Sequence, residues 1–329
     1  MNIIAHNNGD VNIINNYIAE ENADENIRRT KWRLKKAQAQ RIAAVLISIG
    51  QKARGYRMQA CANYIVAQEC KECGTIHVIG TKLCRDRMCP ICSWRLSMRR
   101  FASMYTILDG LITAYPESRW SFLTLTVKNC LPQQLSATLD EMSRQWNSIA
   151  SSKKFKERYV GWAKSLEITY NKETKTLHPH YHIILQTHEG MKPNDYVIHR
   201  WMDGCKLSTN RAAQDIQDIR SKDITQDVPV SAILECYKYA IKTSEIEEMP
   251  LAIFKLTDKA LKNRRLVSFG GLIKEYAKLC EIKQLDTANE EDEAEAATMI
   301  NKCVHCGSQK LIELTAEWSG TGYIWREKS

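Results

Sequence analysis

The chain has 329 residues, 44% of them hydrophobic, which is enough for a real core and two domains, and no apolar run reaches the roughly 18–20 residues of a membrane span. Its 47 Lys+Arg against 38 Asp+Glu leave a formal charge of +9. The start, MNIIAHNNGDVNIINN, lacks the charged n-region and long apolar core of a secretory signal, so the expected location is the cytoplasm, with no membrane partner. Twelve cysteines in that compartment read as metal ligands or buried hydrophobes rather than disulfides.

Residues 1–25 are Asn-rich, and residues 28–54 pattern as a basic, partly amphipathic helix. Between Asn26 and Gln68 there is no acidic residue, yet Arg28, Arg29, Lys31, Arg33, Lys35, Lys36, Arg41, Lys52, Arg54 and Arg57 lie inside that stretch, an electrostatic footprint for phosphates. Cysteines crowd residues 61–92. Cys70 and Cys73 form one C-x2-C pair and Cys89 and Cys92 another, the spacing of a four-thiolate Zn²⁺ site built on two knuckles, with Cys61, Cys84 and His77 as further candidates for a place in it. Arg85, Arg87, Arg95, Arg99 and Arg100 surround the second knuckle and read as contacts to duplex DNA.

Helical patterning runs from about Trp94 to Ala114, and WSFLTLTV at 120–127 alternates as a strand. Residues 134–157 read as a helix. LEITY at 166–170 and HYHIIL at 180–185 read as two antiparallel strands, and PVSAILECYKYAIK from Pro229 to Lys242 as a helix opened by its proline. The segment DTANEEDEAEAA at 286–297 suits a solvated acidic linker, and a tail with half a metal site, Cys303-Val304-His305-Cys306, closes the chain.

The chemistry concentrates in two of these elements. In a strand, His178, His180 and His182 emerge on one face, and a hairpin with the preceding strand brings the Glu167 carboxylate beside His180 and His182. Two imidazoles and a carboxylate suit Mg²⁺ or Mn²⁺ with positions left open for a phosphate oxygen, with His178 as the alternative third ligand. On the helix, Glu235, Tyr239 and Lys242 fall at i, i+4 and i+7, placing a carboxylate, a phenol and an ammonium on one face. A tyrosine there can serve as a covalent nucleophile, with Tyr237 as its competitor.

FLTLT at 122–126, HPHYH at 178–182 and YAIK at 239–242 resemble the three ordered motifs of the HUH endonucleases. The order C-x2-C, LCRDRMCPIC, FLTLT, GWAKSLEITYN, HPHYHIIL, E-x3-Y-x2-K and RRLVSFGG, over roughly residues 60–275, is similar to that of rolling-circle plasmid replication initiators. The resemblance implies an α+β fold: a central antiparallel sheet carrying the HUH metal site in its middle, with flanking helices, preceded by a small zinc-ribbon-like module. It implies His180 and His182 as the metal pair, Tyr239 as the nicking residue, Lys242 as the lysine of its motif and Glu235 as the acidic partner. The implied activity is metal-dependent nicking and joining of one strand of plasmid origin DNA through a 5′-phosphotyrosine, with a host helicase and DNA polymerase as partners. A relaxase or transposase of the same chemistry and a non-catalytic zinc-ribbon regulator are the alternatives. The domain reading is a basic arm at 1–56, a zinc module at 57–100, a catalytic domain at 101–285, an acidic linker at 286–300 and a C-terminal tail at 301–329.

Overall fold

A computed structural model gives the coordinates of the chain and describes residues 25–205, 211–219, 230–236, 241–280, 282, 300–303 and 305–328. The Asn-rich start, the acidic segment at 286–297, and Tyr237 and Tyr239 lie outside the described residues. The first half of the chain runs α1 (Glu25–Ser48), α2 (Lys52–Gln59), β1 (Tyr64–Cys70), β2 (Ile76–Thr81), α3 (Pro90–Ala114), β3 (Trp120–Thr126), α4 (Leu135–Ser151) and the short α5 (Lys153–Lys156). Then follow β4 (Tyr159–Asn171), β5 (Thr176–Thr187), α6 (Tyr196–Gly204), β6 (Asp215–Asp218), α7 (Val230–Cys236), α8 (Thr243–Glu248), α9 (Leu251–Leu261), β7 (Val267–Gly270) and α10 (Gly271–Leu279). A terminal pair, β8 (Leu311–Trp318) and β9 (Tyr323–Glu327), completes the set. No helix among the described residues is long and apolar enough to cross a membrane.

The chain forms two compact units, one from residues 1–95 with 287–329 and the other from residues 96–286, the first division falling inside α3. The N-terminal helices, the cysteine segment and the C-terminal tail therefore share one unit. Its sheet has the order β2-β1-β8-β9, with β1 and β8 antiparallel from Tyr64↔Glu317 to Cys70↔Leu311. LIELTAEW alternates as a strand should, and Leu314 and Ala316, two residues apart, are buried. The α1 helix supplies Trp32, Ala39, Ile42, Ala43 and Leu46 to this core, with the Trp32 ring edge-on to Trp94 at 5.1 Å. The single helix expected over 28–54 is two: α1 stops at Ser48, and Gly50, at φ 87°, makes the left-handed turn into α2 that a residue with a side chain resists.

The second unit is built on a five-stranded antiparallel sheet of order β6-β3-β5-β4-β7, so the histidine-bearing β5 lies in the middle. Its strands bury Leu123, Leu125, Ala163, Ile168, Ile183 and Leu185, and the stripe Leu135, Leu139, Met142, Trp146 and Ile149 of α4 is buried in the same unit, where the Trp146 ring meets Trp162 at 5.2 Å. The helix expected over 134–157 breaks at Ser152, whose backbone is extended (ψ 147°) and whose hydroxyl accepts from the Phe155 N–H, starting α5 anew. The β4–β5 hairpin is far longer than the two short segments expected. Its turn is set by the Asn171 side chain, which accepts from the N–H groups of Glu173 and Thr174 at 3.0 Å, and by Lys175 at φ 54°.

Candidate functional site

The hairpin register decides what the histidine strand can do. Glu167 pairs directly with His180, and Ser165 with His182, so the carboxylate and both imidazoles stand on one face. One Glu167 oxygen, Oε2, lies 3.2 Å from His180 Nε2 and 3.0 Å from His182 Nε2. Burial alone would raise the Glu167 carboxyl, but hydrogen bonds with the two imidazoles outweigh it and hold the group well below the usual carboxylate range. The three ligand atoms lie within 4.8 Å of one another, a donor set of nitrogen and oxygen that fits Mg²⁺ or Mn²⁺ and leaves further positions open. The set is Glu167, His180 and His182. His178 stands apart, its Nε2 bonded to the Thr126 hydroxyl.

Strand β3 orients these ligands. Thr124 pairs with His182 and Thr126 with His180, and the Thr124 hydroxyl lies 3.3 Å from His182 Nδ1 while the Phe122 ring stacks on the His182 ring at 5.4 Å. His180 Nδ1 is 3.3 Å from the His178 carbonyl, to which an N–H there donates. Both contacts occupy Nδ1 and leave each Nε2 aimed at the site, the arrangement in which outer partners fix the tautomer of a ligating histidine. The end of β3 is pinned in turn: Gln214 accepts from the Thr126 N–H at 2.8 Å and donates to its carbonyl at 3.1 Å, and Trp201 Nε1 donates to the same carbonyl at 3.0 Å. The alternation of FLTLT already placed Thr124 and Thr126 on one face; their register opposite the histidines was the missing information. A cleft of about 510 Å³ opens beside the ligands, lined by His178, His180, His182, Thr126, Lys128 and Asn129 among others.

From α7, Glu235 brings its Oε1 to 4.0 Å from His182 Nε2, with the side chain 40% exposed. The expected continuous helix to Lys242 is not what forms. The described part of α7 ends at Cys236, and Lys242 is an exposed residue with extended backbone (ψ 139°) at the cap of α8, so it does not share a helix face with Glu235. The α8 helix is tied back to the sheet by Glu245, which accepts from the Tyr170 N–H at 2.9 Å.

The cysteines regroup. The four expected to share one ion, Cys70, Cys73, Cys89 and Cys92, divide between two clusters: Cys61, Cys84, Cys89 and Cys92, and Cys70, Cys73, Cys303 and Cys306. In the first, all four residues are buried, and sulfur separations are 3.6 Å for Cys61–Cys92 and Cys84–Cys92 and 3.7 Å for Cys61–Cys89. In the second they are 3.5 Å for Cys70–Cys306 and 3.6 Å for Cys73–Cys303. A tetrahedron of thiolates around zinc at about 2.3 Å has edges of about 3.8 Å, so both clusters have the size that Zn²⁺ requires. Burial pushes the Cys89 thiol well up, so a thiolate there would need a cation beside it. Each C-x2-C is half of a different site. The fully buried Lys36 donates at 2.6 Å to the Gln59 carbonyl, the Cys61 carbonyl and Asn63 Oδ1, placing a positive charge under the first cluster.

Of the five arginines expected on duplex DNA, Arg100 is buried at 5% exposure and so is not on the surface; Arg85, Arg87, Arg95 and Arg99 are half-buried.

Residues 75–319 match the protein family described as Replication protein, Rep_1. "Protein rep" of Streptococcus pneumoniae serotype 2 is 27% identical over 300 residues, covering 88% of this chain and 93% of the relative. "Protein rep" of Bacillus amyloliquefaciens is 28% identical over 295 residues, 80% of this chain and 86% of its own length. A "Replication protein" of Staphylococcus aureus is 30% identical over 184 residues, 52% and 78% of the two chains. No solved structure matches.

Proposed function

Because the chain belongs to the Rep_1 family of replication proteins, we propose that it initiates rolling-circle replication of a plasmid in the cytoplasm by nicking and rejoining one strand of the origin. The observation that carries this reading is the convergence of Glu167, His180 and His182 beside an open cleft, with the Glu235 carboxylate 4.0 Å from His182. A Mg²⁺ or Mn²⁺ ion held by those three residues would polarise a phosphodiester. Tyr239 lies four residues beyond Glu235, in a segment flanked by α7 and α8, both of which pack on this sheet. Its phenolic oxygen attacks phosphorus, the bond to the 3′ oxygen breaks, and the products are a 5′-phosphotyrosine and a strand ending in a 3′-OH. Lys242 balances charge on the transferred phosphate. Glu235 is the general base of the closing step, taking the proton from the water that releases the enzyme. The 3′-OH primes a host DNA polymerase while a host helicase opens the duplex ahead. Each cysteine cluster holds one structural Zn²⁺.

Denaturing gels of radiolabelled origin strands incubated with Mn²⁺ test the assignment. Tyr239→Phe keeps the ring but removes the attacking oxygen, so the slow covalent band disappears; a surviving band transfers the role to Tyr237. Glu235→Ala still forms the band and fails to release it, whereas loss of the band would place the carboxylate in the first step. A regulator without catalysis leaves every strand uncut.

A further inference from the structure

The basic arginines around the second knuckle are largely covered, and all five already hold interactions within the chain. The open cations of this unit lie elsewhere. On α2, the sequence KARGYRMQ exposes Lys52, Ala53, Tyr56 and Arg57, and Ala60 beyond its end, residues that recur at one and four positions apart and so share one helix face. Tyr56 is 57% exposed, although a tyrosine ring has much to gain from burial. Neither Lys52 nor Arg57 has an ion-pair partner among the described residues, and the chain from Asn26 to Gln68 contains no acid that could supply one locally.

The opposite face of α2 is fixed. Gly55 lets the helix backbone approach α1 so closely that a Cβ there would stand 2.5 Å from Ile47 Cγ1 and 2.9 Å from the Ala43 carbonyl oxygen. Met58 is fully buried. Arg54 turns inward to the buried Asp86, with Nη2 donating to Oδ1 at 2.8 Å, and that same oxygen accepts from the Met88 N–H at 2.9 Å. Asp86 and Met88 belong to the loop that carries Cys84 and Cys89, and the Gln59 and Cys61 carbonyls at the far end of α2 are held by Lys36. The helix is thus clamped at its middle and its end to the buried cysteine cluster.

Building on the origin-nicking reading, we propose that the exposed face of α2 is the surface that grips double-stranded DNA, with Lys52 and Arg57 on phosphates, Tyr56 between them on the groove wall, and the buried cysteine cluster as its mount. A helix with one face exposed is an element that a major groove of about 12 Å admits, and the small side chains of Ala53 and Ala60 on that face let its backbone come close. Lys52 and Arg57 stand five residues apart, about 7.5 Å along the helix axis, one on each flank of the exposed face, and their charges have no ion-pair partner among the described residues to leave. The single strand has its own place at the Glu167, His180 and His182 centre, in the other unit.

The test is equilibrium binding of the full-length, zinc-loaded chain to a fluorescent mixed-sequence 30-bp duplex, and to a 20-nucleotide single strand, in buffer without Mg²⁺ or Mn²⁺. No cleavage occurs there, so failure of the nicking chemistry cannot produce or hide the result. Replacing Lys52→Ala together with Arg57→Ala lowers the slope of log K against log salt by about 1.8, two contacts at about 0.9 each, and weakens duplex binding at least about tenfold at low salt. Tyr56→Ala weakens duplex binding with the slope unchanged. The charge-preserving pair Lys52→Arg and Arg57→Lys keeps the slope, and all variants retain their zinc content and thermal midpoint. An unchanged slope in the double Ala variant overturns the proposal. So does an equal loss on the single strand, or a loss in the charge-preserving pair as large as in the double Ala variant.

Discussion

Replacing Cys303 and Cys306 together by Ser removes the C-terminal half of the second cluster and leaves Cys70 and Cys73 with two ligands where zinc needs four. With the second unit still folded, the chain from its last residue, Asp286, to Cys303 is 17 residues, and a cross-link closing a loop of that length is worth about 3 kcal/mol. With everything unfolded the same link, Cys73 to Cys303, spans 230 residues and is worth about 5 kcal/mol. The smaller figure governs local opening of β8 and β9, and 3 kcal/mol is about two powers of ten in an equilibrium constant. Bound zinc therefore falls from two ions per chain to one, measured by elemental mass spectrometry. Amide exchange in Leu311–Trp318 accelerates about 100-fold. Exchange in the sheet around β5 and cleavage of a short single strand both stay as they were. Two zinc ions still bound, or exchange in β8 altered less than about threefold, would refute the reasoning, because β1–β8 pairing alone would then be holding the tail.

Two further outcomes follow from the Glu167, His180 and His182 cluster and its proposed role. Thr124→Val is nearly isosteric and removes only the hydroxyl beside His182 Nδ1, so Mn²⁺ affinity, read by calorimetry, drops about 10- to 100-fold while the thermal midpoint of the metal-free chain stays close to its original value. His182→Ala deletes a ligand atom and abolishes Mn²⁺-dependent cleavage of an origin strand, yet binding to a 30-bp duplex in metal-free buffer is unchanged.

How far the sequence could be read depended on the range of the interaction. The Glu167, His180 and His182 set was legible because two local facts suffice: side chains alternate along a strand, and consecutive strands joined by a short turn pair with each other. The cysteines were legible as ligands but not as partners. A C-x2-C spacing says that two sulfurs share a knuckle, not which knuckles share an ion. The first ion's set needed the lone Cys61 and Cys84, and the second needed a segment more than 200 residues away, brought in by the β1–β8 register that puts Cys70 opposite Leu311. That the tail pairs with β1 was hidden although LIELTAEW alternates, because alternation announces a strand and is silent about its neighbour. The stretch 229–242 carries a helical pattern throughout, but the extended backbone at Lys242 and the anchoring of Glu245 to β4 override propensity at its end. At Arg100 composition misled: a cluster of cations near a knuckle says nothing about which of them the fold covers.

The pairing of β1 with β8 also orders events during synthesis. The ribosome delivers Cys70 some 236 residues before Cys306, an interval on the order of tens of seconds at about 5–20 residues per second. For that whole time β1 has one neighbour instead of two and the second thiol pair has no counterpart, while residues 96–286 emerge with all five strands of their own sheet. The second unit, with its Glu167, His180 and His182 cluster, can therefore be complete before the unit that surrounds it in sequence is closed. A message cut short between codons 287 and 303 yields a chain that holds all of residues 96–286 but has an open β1 edge and a second cysteine cluster without its C-terminal half.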